Sequence, residues 1–120
     1  MIPDALIPVT LKTRAGLLKV QCILDSGADF TMFPRHMAEL VGLDVARAPA
    51  SRSMGIEGGS GIRTWLGAID VTIGPHPLRL RCLFSSNERT PYLLGRADLF
   101  AAFSVTFDTS RQRIRLTRHP

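Results

Sequence analysis

No stretch of this 120-residue chain approaches the roughly 18 consecutive apolar residues that a membrane-spanning helix needs. Its first residues, Met1-Ile2-Pro3-Asp4-Ala5-Leu6-Ile7-Pro8, lack the basic-then-apolar order of a secretory leader. No membrane partner is expected, and a cytoplasmic location is the expectation if the chain is complete. Cysteine is scarce. Cys22 and Cys82 each sit on the apolar side of an alternating run, Val20-Cys22-Leu24 and Leu80-Cys82-Phe84, which reads as two buried free thiols. His36, His76 and His119 are scattered, so no zinc-type spacing exists and neither a metal nor a cofactor is expected. Aromatic residues make up only 7%, and no lysine-rich tail is present. The net charge of +5 therefore does not suggest nucleic acid, because a nucleic-acid-binding barrel needs an aromatic stacking platform. The charge is carried almost wholly by arginine. Arg79-Leu80-Arg81 and Arg113-Ile114-Arg115-Leu116 alternate it with apolar residues, which in strands places charge on one face and core on the other.

What is present is a strand-rich pattern. An apolar fraction of 45% over this length suits one domain spanning residues 1–120. Ala5 to Thr13 reads as an edge strand, because Pro8 cannot donate to a ladder. Arg14-Ala15-Gly16 is a turn, and Leu17 to Leu24 is a strand with Leu18, Val20, Cys22 and Leu24 on one face. A short loop is expected through Phe33. Pro34 at a first helical position and Gly42 beyond the last bracket one or two helical turns. Further strands are expected over Ile62 to Ile73, Leu78 to Phe84 and Tyr92 to Leu94. A short helix is expected over Ala97 to Ala102, and a closing hairpin over Ser104 to Phe107 and Arg113 to Thr117. Short strands with turns about every ten residues and little helix predict an all-β barrel or sandwich.

Two segments carry chemistry. Ile23-Leu24-Asp25-Ser26-Gly27-Ala28-Asp29 runs an apolar strand straight into a carboxylate in a tight turn, where its partners become a functional matter. Gly55-Ile56-Glu57-Gly58-Gly59-Ser60-Gly61 holds four glycines in seven residues. A phosphate-cradling loop would open a helix, but here a strand follows. The segment fits better as the tip of a long hairpin with arms 47–54 and 62–73, a lid over the acid. About seventy residues after Asp25 comes Leu93-Leu94-Gly95-Arg96, leading into the short helix.

The order of these parts resembles the retropepsin-like aspartic proteases over about residues 5–117. The closing Ala102-Phe103-Ser104-Val105-Thr106-Phe107-Asp108 looks most like bacterial single-domain members. The resemblance implies a closed β-barrel with a flap hairpin and one or two short helices. It further implies an aspartic endopeptidase acting on extended segments of a peptide or protein substrate. Such chemistry needs two carboxylates sharing one water, and this chain has one Asp-Ser-Gly. Asp70 falls within a strand arm, Asp108 in a distal turn, and Asp98 at a helix position suited to a cap or surface carboxylate. The expectation is therefore a homodimer with the two Asp25 carboxylates on its axis.

By motif position, the resemblance implies that Ser26 hydrogen-bonds to its copy across the axis. Gly27 offers its carbonyl to substrate, and Ala28 lines the cleft. Asp29 binds substrate backbone and forms a buried ion pair with Arg96. Ile56, Gly58 and Gly59 are the expected flap tip. Phe30 stands where viral members carry a second acid, so their substrate preference does not transfer; Ala28, Phe30 and Ile56 suggest an apolar one. A non-catalytic dimeric peptide-binding module on the same fold is the alternative.

Overall fold

The structure, a computed structural model, describes residues 6–53 and 61–120. In chain order the elements are β1 (Leu6–Thr13), β2 (Gly16–Leu24), β3 (Thr31–Pro34), α1 (His36–Leu40), β4 (Ala50–Ser53), β5 (Ile62–Ile73), β6 (His76–Ser85), β7 (Leu93–Leu94), α2 (Leu99–Ala102), β8 (Phe103–Asp108) and β9 (Arg113–Arg118). The main sheet runs β1-β2-β7-β3-β6-β5-β4, and β5 also pairs with β1 through Thr72↔Thr10 and Val71↔Leu11. Six strands thus close into a ring, with β4 flanking β5. β8 and β9 form a separate antiparallel pair.

The ring closes around a core dictated by period-two patterning. Ile7, Val9 and Leu11 of β1 point inward, as do Cys22 and Leu24 of β2. So do Ile69, Val71 and Ile73 of β5 and Leu80, Cys82 and Phe84 of β6. Met37 and Ala38 of α1 and Leu99 of α2 plug the barrel's flanks.

β5 matches its expected bounds residue for residue, and the β8–β9 hairpin and both short helices lie within a residue or two of theirs. Four local expectations change. β1 is not a free edge: Thr10 and Leu11 have strand neighbours on both sides, and Pro8 lies where only β2 pairs. The inward face of β2 begins at Val20, because Leu18 is exposed and Leu17 is 78% exposed. Both lie at the turn end of the β1–β2 hairpin: Leu18 pairs with Leu11, the last β1 residue in contact with β5, and Leu17 with Lys12 beyond it. The segment expected as a loop through Phe33 contains β3, parallel to β6 and antiparallel to β7. Pro34 ends that strand instead of opening a helix, and α1 starts two residues later. Gly42 does end α1, at φ +86°, a left-handed geometry that glycine adopts without strain.

Cys22 and Cys82 are buried free thiols, as expected. Burial pushes the Cys22 thiol up to about 12, and burial followed by the neighbouring Cys22 pushes Cys82 higher still. Because the thiolate is the nucleophile, neither should react with a thiol reagent at pH 8 until the chain unfolds. Both should then be titrated together in denaturant. The folded values lie above the unfolded ones, so this contribution to stability is full below the ordinary thiol range. It is lost as pH rises through that range toward 12. Urea midpoints measured at pH 8 and pH 10.5 should fall in that order.

Candidate active site

Asp25 is the first residue beyond β2, and its backbone stays in the ladder: its N–H donates to the Leu94 carbonyl at 2.9 Å. The chain then folds back on itself. The Gly27 N–H donates to Asp25 Oδ1 at 2.9 Å, and the Ala28 N–H donates to the Asp25 carbonyl at 3.1 Å. A Cβ on Gly27 would stand 3.3 Å from Oδ1, so this glycine lets the turn close onto the carboxylate without displacing it. Asp25 and Ala28 are half-buried, while Ser26, Gly27 and Asp29 are exposed.

The Leu93-Leu94-Gly95-Arg96 segment builds the wall that holds this turn. Leu93 and Leu94 pair in parallel with Ile23 and Leu24, and Leu93 pairs on its other side with Met32. Gly95 is buried and donates its N–H to Thr31 Oγ1 at 3.2 Å. A Cβ on Gly95 would overlap the carbonyl group of Phe30 and come within 2.8 Å of the Thr31 nitrogen. The next two amides continue the contact: Arg96 N–H donates to the Ala28 carbonyl at 2.9 Å, and Ala97 N–H to the Asp29 carbonyl at 2.8 Å. The two motifs are thus joined by main chain.

That contact corrects one expectation. Asp29 and Arg96 lie beside one another, but both side chains are exposed and no ion pair joins them in the protomer. Gly95 seats the two backbones so closely that the amides make the link and the side chains stay in solvent. The ion pair at this corner is a different one: Asp98 Oδ2 accepts from Arg81 Nε at 3.1 Å and from the Arg81 backbone N–H at 2.7 Å. The Arg81 hydrogen bonds hold the Asp98 carboxyl below the usual carboxylate range. Asp98 takes the left-handed φ of +67° but makes no side-chain cap of α2.

Other acids are engaged elsewhere. Asp44 pairs with Arg47, Asp70 with Arg79, Asp108 with Arg111 and Glu88 with His36. Among the described residues, the carboxylates outside ion pairs are Asp25, Asp29 and Glu39. Ile56, Gly58 and Gly59 lie outside the described residues. The arms that lead to them are present, with β4 and β5 paired from Ala50↔Trp65 to Ser53↔Ile62.

The strand register shows residues that periodicity alone does not. Leu6↔Ile23, Ile23↔Leu93, Leu93↔Met32, Met32↔Leu83 and Leu83↔Leu66 are successive lateral pairs. Laterally paired residues share a sheet face, so six apolar side chains from six strands form one continuous row. The row is not core: Leu6 is 48% and Ile23 38% exposed, and the other four are half-buried. Asp25 follows Ile23 by two residues with its N–H still in the ladder, so period-two geometry gives it the same face. The arrangement offers a carboxylate beside an apolar row, next to its second member, Ile23.

A family model described as aspartyl protease matches residues 7–97. Among solved structures, the retroviral protease-like domain of Ddi1 from Leishmania major superposes with a TM-score of 0.65 at 16% identity, covering 100% of this chain and 97% of that one. A retropepsin-like aspartic protease from Rickettsia conorii gives 0.64 at 17% identity, covering 88% and 79%. The simian foamy virus protease gives 0.52 at 16% identity, covering 78% and 90%. A search of curated proteins returns no match. The chain belongs to the aspartyl protease family and has the retropepsin-like fold expected of it.

Proposed function

We propose that this member of the aspartyl protease family is a homodimeric endopeptidase whose active site forms when two Asp25 carboxylates meet on the dimer axis. The observation that carries the reading is an Asp25 fixed by backbone hydrogen bonds in an open turn, with the chain's other Asp-type candidates, Asp70, Asp98 and Asp108, tied to arginines. Two like charges in contact cannot both ionise cheaply, so the pair holds one proton between them. The ionised carboxylate removes a proton from water as it attacks the scissile carbonyl carbon. The protonated one donates to the carbonyl oxygen. The tetrahedral adduct then collapses: the C–N bond breaks as the nitrogen takes the proton now on the first carboxylate, and an adduct hydroxyl returns its proton to the second, restoring the singly protonated pair.

The remaining residues take supporting parts. Ser26, exposed beside Asp25, bonds to its copy across the axis. Gly27 presents its carbonyl to the peptide and Asp29 binds the peptide backbone. An extended peptide adds as a strand between the arms of the 47–73 hairpin and the floor, with alternate side chains read by pockets. The row containing Ile23, Met32, Leu83 and Leu93 makes that floor apolar and favours apolar side chains next to the cleaved bond.

The test is incubation of the purified chain, at high concentration and from mildly acidic to neutral pH, with a diverse peptide library. Cleavage between apolar residues, absent with Asp25→Asn, is the expected result. A chain that sediments as a dimer and binds peptides without cutting them would instead be a peptide-binding module.

A further inference from the structure

β3 begins at Thr31, opposite Cys82 of β6, so the edge of β6 is open one residue earlier, at Arg81. The Asp98 carboxylate occupies that edge. It takes the Arg81 backbone N–H where a strand carbonyl would otherwise sit, and the same oxygen takes Arg81 Nε. This fixes the direction of the arginine. Its guanidinium lies over the Phe30 ring, 5.3 Å from the centroid, within cation–π range.

Period-two geometry gives these groups a common face. Arg81 precedes Leu83 by two residues and Phe30 precedes Met32 by two, and Leu83 and Met32 are paired members of the apolar row. Phe30 and Arg81 therefore form a second tier beside that row, continued on β5 by Ala68, the partner of Arg81. A cation stands at the margin of an apolar floor. It is half exposed, and a neighbouring carboxylate neutralises it.

Resting on the protease reading above, we propose that Arg81 and Asp98 form a specificity lock. Asp98 turns the guanidinium onto Phe30 and away from the peptide, so the subsite beside Phe30 accepts apolar side chains and offers no cation to acidic ones. Asp98 and Arg81 are positioning residues, and Phe30 is the wall they hold. Asp98 sits at the N-terminal boundary of α2 at a positive φ of 67°, and asparagine has the same size and branching at that backbone position as aspartate. Asp98→Asn therefore removes the charge with little backbone cost and keeps an oxygen for the Arg81 amide.

The experiment is a positional peptide library, read as the ratio of kcat/KM for Glu over Leu at each position. With the wild type the ratio is low throughout. With Asp98→Asn it should rise about fivefold at one position, the scale of an exposed ion pair, and Arg81→Leu added to that variant should bring it back down. A change of stability alone would lower both rates together and leave the ratio where it was. The same peptide pairs are titrated by fluorescence anisotropy against Asp25→Asn and Asp25→Asn/Asp98→Asn chains. A Glu:Leu ratio unmoved in a folded Asp98→Asn chain, in cleavage and in binding, overturns the lock while leaving the protease reading intact. No cleavage by the wild type, with the ratio still shifting in binding, would defeat the protease reading and support the lock. Neither cleavage nor binding would overturn both.

Discussion

Replacing Asp25 by Asn is expected to abolish peptide cleavage while the barrel stays folded. The amide is nearly isosteric, its oxygen can still accept the Gly27 N–H, and the backbone bond to Leu94 is untouched. What it cannot do is take a proton from water. The loss should reach at least about 10²–10⁴-fold, the range for removing a general acid–base group. The same variant tests how the site is assembled. If each dimer needs one Asp25 from each subunit, Asp25→Asn chains mixed in excess with wild type will draw wild-type subunits into inactive pairs. With one wild-type chain in roughly ten, random pairing leaves active dimers at about one-hundredth of the total. Activity should therefore fall with the square of the wild-type fraction after subunits have exchanged. A linear fall would mean that one chain carries a complete site. Dilution of the wild type should give the matching result, a specific activity that drops as dimers dissociate.

The second large effect is expected at Gly95. Its Cβ position is occupied by the carbonyl group of Phe30 and crowded by the Thr31 nitrogen, all backbone atoms that cannot rotate aside as a side chain would. Gly95→Ala must push α2 and the acid turn apart. That movement strains the Thr31 bond to Gly95 and the amide links from Arg96 and Ala97 to Ala28 and Asp29. Overpacking of a rigid contact costs about 1–3 kcal/mol and at times more, against a total stability of about 5–15 kcal/mol for ordinary domains. The urea midpoint should fall sharply, and activity should fall further than stability because the displaced segment carries Asp25. Gly27→Ala makes the useful contrast. Its Cβ would press only on Asp25 Oδ1, at 3.3 Å, so stability should change little while cleavage suffers. A Gly95→Ala chain with the wild-type midpoint would show that the two segments are not in the close contact described.

The separation between what was legible in the chain and what was not follows the range of the forces involved. β5, the acid turn, the closing hairpin and the helix stop at Gly42 depend on periodicity and turn chemistry within a few residues. They stand in the structure close to where the sequence places them. The Asp25 and Gly95 motifs, with their order and spacing, also pointed to the family.

β3 could not be read this way, because its four residues are a strand only through β6 and β7, which come from distant parts of the chain. The apolar row has the same origin: Leu6, Ile23, Leu66, Leu83, Leu93 and Met32 become neighbours through register, and a shift of one residue would turn each to the other face. The Asp29–Arg96 ion pair failed for a related reason. Adjacency of two motifs does not say whether main chain or side chains make the contact, and the absent side chain of Gly95 decided it in favour of main chain. The sequence by itself determined the strands other than β3, the carboxylate-bearing turn and the resemblance to the family. Only the tertiary structure decided which side chains share a face with Asp25 and which arginine Asp98 holds, because those depend on strand pairing across the whole chain.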